Sequence, residues 1–135
     1  MGAEQFVGHC SKPNEVGTQI VGAAIAVHSA LGPGLLESAY ELCLTHELSR
    51  RHLHVKNQIC IPIRYQTITI ENGYRIDLLV NDAVVVELKA IEMVLPVHRA
   101  QLLSYLRLGY YKLGYLLNFN VAHMRNGITR IVNGL

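Results

Sequence analysis

The chain has 135 residues, of which 50% are apolar and 16% charged, with a net charge of +2. That length suits one ordinary domain, and that composition builds a core and excludes a disordered chain. The mild basic excess permits nucleic-acid binding without indicating it, since the arginines and lysines are scattered and form no long run.

Cys10, Cys43 and Cys60 are few, odd in number and far apart. They fit neither a zinc ribbon nor a disulfide framework, and a reducing cytoplasm suits them best. The start, MGAEQFVGHC, has no basic segment leading into a long apolar one, so no secretory leader is expected. The apolar stretch 20–36 is interrupted by His28, Ser29 and Gly32-Pro33-Gly34 and is too short to span a membrane.

Residues 1–13 lack any period and predict a flexible tail, leaving 14–135 as a single domain. A first helix is expected from Asn14 to Leu31, capped by Asn14, with Ile20, Ala23, Ala24 and Val27 at helical spacing. Gly32-Pro33-Gly34 stops it. A second helix is expected over Leu35 to Arg51. The pattern then turns to β: His54 to Tyr65, a short run Thr67 to Ile70, a turn at Glu71-Asn72-Gly73, and Tyr74 to Val80. Asn81-Asp82 predicts the next turn and Ala83 to Ala90 the next strand. Val84-Val85-Val86 within it reads as buried on both faces. Helical spacing returns over Val97 to Tyr110, followed by strands at Leu113 to Asn118 and Ile128 to Val132. The order α-α-β-β-β-α-β-β predicts an α/β fold with a mixed sheet flanked by helices.

The chemistry lies in YRIDLLVNDAVVVELKA, residues 74–90. Glu87 and Lys89 are two apart on one strand and so share a face. Asp77 interrupts the apolar strand before it, where a charge is costly unless paired or bound to metal. If Val80 pairs with Val84 across a three-residue loop, Asp77 falls opposite Glu87. If Asn81-Asp82 form a two-residue turn, Asp77 lands on the other face unless a bulge intervenes. In the first case two carboxylates and a backbone carbonyl offer hard oxygen ligands for Mg²⁺ or Mn²⁺, with an amine beside them. The plain alternative is a Glu-Lys pair on an exposed strand, with Asp77 near a strand end.

Asp77, Glu87-Leu88-Lys89 and the predicted element order resemble the PD-(D/E)XK nuclease superfamily, with its restriction-endonuclease-like αβββαβ core. Ile76 stands where that motif usually has proline. Gln101 and Tyr105, four apart on the following helix, fit the QxxxY pattern of RecB-type nucleases. Gly34, Glu37 and Tyr40, within VHSALGPGLLESAYE, resemble the GxxExxY proteins placed in that superfamily.

The resemblance implies a metal-dependent nuclease acting on DNA or RNA, with Asp77, Glu87 and Lys89 catalytic. It implies metal ligation by Asp77, Glu87 and the Leu88 backbone carbonyl. Glu37 is a candidate third carboxylate, although an acid in a first helical turn also simply meets the dipole. Gln101, Tyr105 and Tyr40 would contact substrate or support the site, with Tyr40 the most core-like of the three. His28 reads as a structural histidine. The alternatives are a catalytically silent nucleic-acid-binding module and an oligomeric assembly module on the same fold. The low charge content also predicts a homo-oligomer, with a dimer the simplest case.

Overall fold

The computed structural model describes residues 12–135. The predicted tail therefore lies almost wholly outside the described residues. Among the described residues three helices and five strands follow in the order α1 (Pro13–Leu31), α2 (Glu37–Arg50), β1 (Val55–Tyr65), β2 (Ile68–Val80), β3 (Val84–Lys89), α3 (Pro96–Gly109), β4 (Leu113–Asn118) and β5 (Ile128–Val132). A 3₁₀ turn, Met124–Gly127, precedes β5.

The strands form one sheet in chain order, antiparallel except for the parallel β3–β4 pair that α3 connects. A parallel pair needs both faces covered, and the sequence supplies apolar side chains on both. Val84, Val86, Leu88, Leu113, Tyr115 and Leu117 pack against α1 and α2. Val85 and Leu116 pack with Leu102 and Leu106 of α3 on the other face. The result is a mixed five-stranded sheet between helices, a restriction-endonuclease-like arrangement.

The helices begin where local chemistry permits. Pro13 and Pro96 occupy the first turns of α1 and α3, where their missing N–H groups cost nothing. Lys12 rather than Asn14 caps α1, and Asn14 Oδ1 instead accepts a hydrogen bond from Arg130 at 2.7 Å. α1 ends at Gly32 and Gly34, with φ of 71° and 101°, a region that favours glycine. α2 starts two residues later than expected because Leu35 donates its N–H to the Tyr40 hydroxyl, leaving Leu36 extended as the cap.

One predicted turn is wrong. Glu71-Asn72-Gly73 lies inside β2, which fuses the two expected strands into Ile68–Val80. The chain reverses instead at Gln66-Thr67, with Tyr65 paired to Ile68 and Gln66 at φ 52°. Gly73 serves a different need. The β1–β2 register slips between Ile61 and Ile63, around Pro62, and the Ile63 backbone closes on Gly73. A Cβ there would lie 2.4 Å from Ile63 Cγ1 and 2.7 Å from its backbone nitrogen.

Gly73→Ala should therefore destabilise the protein by about 1–3 kcal/mol, the usual cost of overpacking. Urea unfolding measures this, and an unchanged midpoint would contradict the close approach.

Candidate active site

The loop after β2 fixes the geometry. Asn81 and Asp82 both adopt left-handed backbone, φ 53° and 52°, which their short polar side chains tolerate. The Ala83 N–H closes the loop on Val80 O at 3.0 Å. Asn81 is tied to His54 through both its backbone N–H and its side-chain oxygen. The outcome is the three-residue loop, with Val80 opposite Val84, Leu79 opposite Val85 and Leu78 opposite Val86. Asp77 falls next to Glu87.

There the ladder stops and the side chains take over. The Asp77 N–H donates to Glu87 Oε2 at 2.9 Å. The Leu88 N–H donates to Asp77 Oδ2, also at 2.9 Å. Each carboxylate thus occupies the place of a strand carbonyl. The packing phase also changes here: Tyr74 and Ile76 face the α3 side, whereas Leu78 and Val80 face α1 and α2. A regular strand would keep all four on one face. Beside Asp77 on β1, Gln58 sits at φ 53° between the Asn57–Leu78 and Ile59–Ile76 pairs. Its amide donates to both oxygens of Glu41 (2.9 and 3.1 Å) and lies 3.4 Å from Asp77 Oδ1.

Glu87 shares the α3-facing side of β3 with Val85 and Lys89, by two-residue alternation. Two carboxylates and an amine therefore meet at the point where β2 parts from β3. A family profile of the PD-(D/E)XK nuclease superfamily matches residues 14–131. The chain belongs to the PD-(D/E)XK nuclease superfamily. Members of this superfamily are generally nucleases, which use divalent metals. No curated protein and no solved structure matches the chain significantly.

The acid pair of this PD-(D/E)XK chain is electrostatically strained. Glu87 is buried, and burial together with the charge of Asp77 pushes its carboxyl from 4.5 up to about 8. The Asp77 N–H and the Lys89 charge oppose this and do not win. Asp77 is also raised, first by burial and then by Glu41, against the pull of the Leu88 N–H, Gln58 and Lys89.

On α3, Gln101 and Tyr105 lie one turn apart, and Gln101 is close enough to lower the proton affinity of the Tyr105 phenol. That phenol is raised by burial and by the charges of Glu87 and Asp77, so the pair stands beside the acids. Tyr105 is held by stacking on Tyr74, with ring centroids 4.3 Å apart at 14°. The Tyr74 hydroxyl donates to the Tyr105 carbonyl at 2.8 Å.

Two further predicted residues lie on α2. Tyr40 is fully buried, stacked on Phe119 at 4.5 Å, and its hydroxyl bonds Gly32 O and the Leu35 N–H. It holds the loop before Glu37 and lies within the core. Glu37 is exposed at the start of α2 and adds to the negative field on Glu87. Among the described residues no three His, Cys, Asp or Glu side chains gather closely enough to hold a metal. His28 is buried, with Nε2 bonded to Val121 O at 2.7 Å, which is a structural role. Nothing in the sequence marks Gln58 and Glu41, because only the β1–β2 register and the packing of α2 on β1 bring them to Asp77.

The raised Glu87 makes a pH prediction. An acid whose folded pKa exceeds its unfolded one favours folding fully below about 4.5, and that contribution is lost as pH rises toward about 8. In EDTA the melting temperature should fall across this window, and Glu87→Gln should flatten the fall and melt higher at pH 8. Parallel melting curves for the two proteins would contradict the burial of a strained acid.

Proposed function

We propose that this protein is a metal-dependent nuclease that hydrolyses phosphodiester bonds in DNA, with RNA as the other polymer the same chemistry would serve. The observation that carries this is the meeting of Asp77, Glu87 and Lys89 where β2 leaves β3, with the Gln101–Tyr105 pair alongside. The donor set fits a hard divalent cation, because a buried carboxylate beside a half-buried one is relieved by a positive charge. Asp77, Glu87 and the Leu88 backbone carbonyl would hold Mg²⁺ or Mn²⁺, with Glu37 as a further carboxylate at the mouth. Bound there, the ion supplies an acidified water and neutralises charge on the phosphate.

The remaining roles fall to the chain. Lys89, on the same face as Glu87, orients the attacking water and holds charge that develops on the phosphate. Tyr105, fixed by Tyr74, and the exposed Gln101 position the polymer backbone. A silent binding module has no use for an acid pair, one member buried, that costs stability, so hydrolysis is the favoured reading.

Within the superfamily, Gly34, Glu37 and Tyr40 are the reason for proposing that the chain is one of the GxxExxY proteins. No helix among the described residues is long and apolar enough to cross a membrane. The free, exposed Cys43 and Cys60 are the reason for proposing a cytoplasmic location. Exposed Leu31, Leu35, Leu36 and Leu42, on α1, α2 and the connection between them, are the reason for proposing a homodimer. Sedimentation equilibrium at micromolar concentration should show the dimer, and a monomer there would overturn it.

The test of activity is cleavage of labelled single-stranded, duplex and branched DNA with Mg²⁺ or Mn²⁺, beside Lys89→Ala prepared identically. Wild type should cleave, and the variant should lose at least about a hundredfold, the scale of one transition-state contact. A folded Lys89→Ala protein with undiminished cleavage would overturn the assignment.

A further inference from the structure

Beyond the carboxylates lies a second feature that the fold does not require. The Gln101–Tyr105 stripe of α3 continues, three residues on, to Leu108, and there it meets the curled tip of the β1–β2 hairpin. Between them is a groove of about 400 Å³ lined by Ile61, Pro62, Arg64, Arg107, Leu108 and Tyr110, among others, none of them acidic. Arg64 and Arg107 are exposed, and neither guanidinium has a hydrogen-bond or ion-pair partner among the described residues. Arg107 sits in the last turn of α3, where a cation also meets the dipole. Arg64, on a strand, has no such explanation.

Tyr110 is the sharper anomaly. It ends α3 in left-handed conformation, φ 62° and ψ 34°, a position where glycine is the usual choice. Its ring is nonetheless 91% exposed, the most exposed large apolar side chain among the described residues. A bulky residue in this conformation, with its ring in water, contributes nothing to the core.

Two unpaired cations and a bare aromatic ring on one groove form the recognition set for an unpaired nucleic-acid strand: guanidiniums for phosphates, a ring for a base. In a duplex the base faces are covered by their neighbours, so a stacking tyrosine selects bases that are free. We propose that this groove is the entry path of a single DNA strand, with Arg64 and Arg107 holding its phosphates and Tyr110 stacking on a base. The strand then runs along the α3 stripe past Tyr105 to Asp77 and Glu87. This assignment rests on the nuclease reading above and names the form of substrate that the site would take.

The test is binding rather than cleavage, measured in EDTA by fluorescence anisotropy. The probes are a labelled short oligothymidylate and a duplex of equal length, titrated at several salt concentrations. Wild type should prefer the single strand. Arg64→Ala and Arg107→Ala should each weaken binding and lower the log–log salt slope by about 0.7, the value for one phosphate contact on a single strand. Tyr110→Gly should weaken binding at least about fivefold, the low end for one stacked base. Its melting temperature should not fall, because glycine suits the left-handed position.

Affinity and slope unchanged in both arginine variants would overturn the groove, while leaving the nuclease reading intact if wild type still cleaves. Preference for the duplex would overturn the assignment to an unpaired strand. No binding of either probe by wild type would overturn the groove, and the nuclease reading would then stand or fall on cleavage with Mg²⁺ alone.

Discussion

Where the β2–β3 ladder ends at Leu78 and Val86, the carboxylates of Asp77 and Glu87 take the places of the carbonyls that would have continued it. Each accepts a backbone N–H from the opposite strand, so neither is free to swing. The exchange terminates pairing, frees the outer half of β2 to curl toward α3, and fixes two acids at the divergence. The change of packing phase through Asp77, the left-handed Gln58 beside it and the stacked Tyr74–Tyr105 wall all follow from that split.

The arrangement is stable only because the rest of the sheet is. β3 and β4 are buried along almost their whole length, with apolar side chains from both helix layers closing over them. That core tolerates a buried carboxylate whose proton affinity is raised by its burial and by Asp77, against the pull of Lys89. Acids with raised pKa at the margin of a sheet concentrate at functional sites, because the energy that burial costs is recovered when a cation or substrate binds. Glu41 extends the negative field outward from Asp77, and the neutral Gln58 amide lies between the two carboxylates and donates toward both. On the far side, Arg64 and Arg107 supply positive charge. The surface is thus polarised around the strand divergence, although the net charge of the chain is small.

Much of this was legible in the chain. Two-residue alternation alone puts Glu87 and Lys89 on one face, and the valine run marks a doubly covered strand. Opposition of Asp77 and Glu87 depended on one loop, and Asn-Asp suits both two-residue and three-residue turns. The tie between Asn81 and His54, which are distant in sequence, goes with the longer one. Glu71-Asn72-Gly73 misled because glycine before a strand signals a turn, whereas Gly73 answers to the approach of Ile63 across the β1–β2 slip. Tyr40 shares helical spacing with Glu37, yet its ring packs inward on Phe119, more than 70 residues away in sequence. Gln58 and Glu41 carry no local signature. They reach Asp77 only through the registers of β1 and α2, which no pattern in one sequence specifies.

The most direct measurement of the central claim is Mn²⁺ binding to the protein without substrate, followed by electron paramagnetic resonance and by competition with Mg²⁺. One site should be titrated by wild type, displaced by Mg²⁺, and lost when Asp77→Asn and Glu87→Gln are combined. A doubly substituted, folded protein that binds Mn²⁺ as well as wild type would show that the strand divergence is not the metal centre.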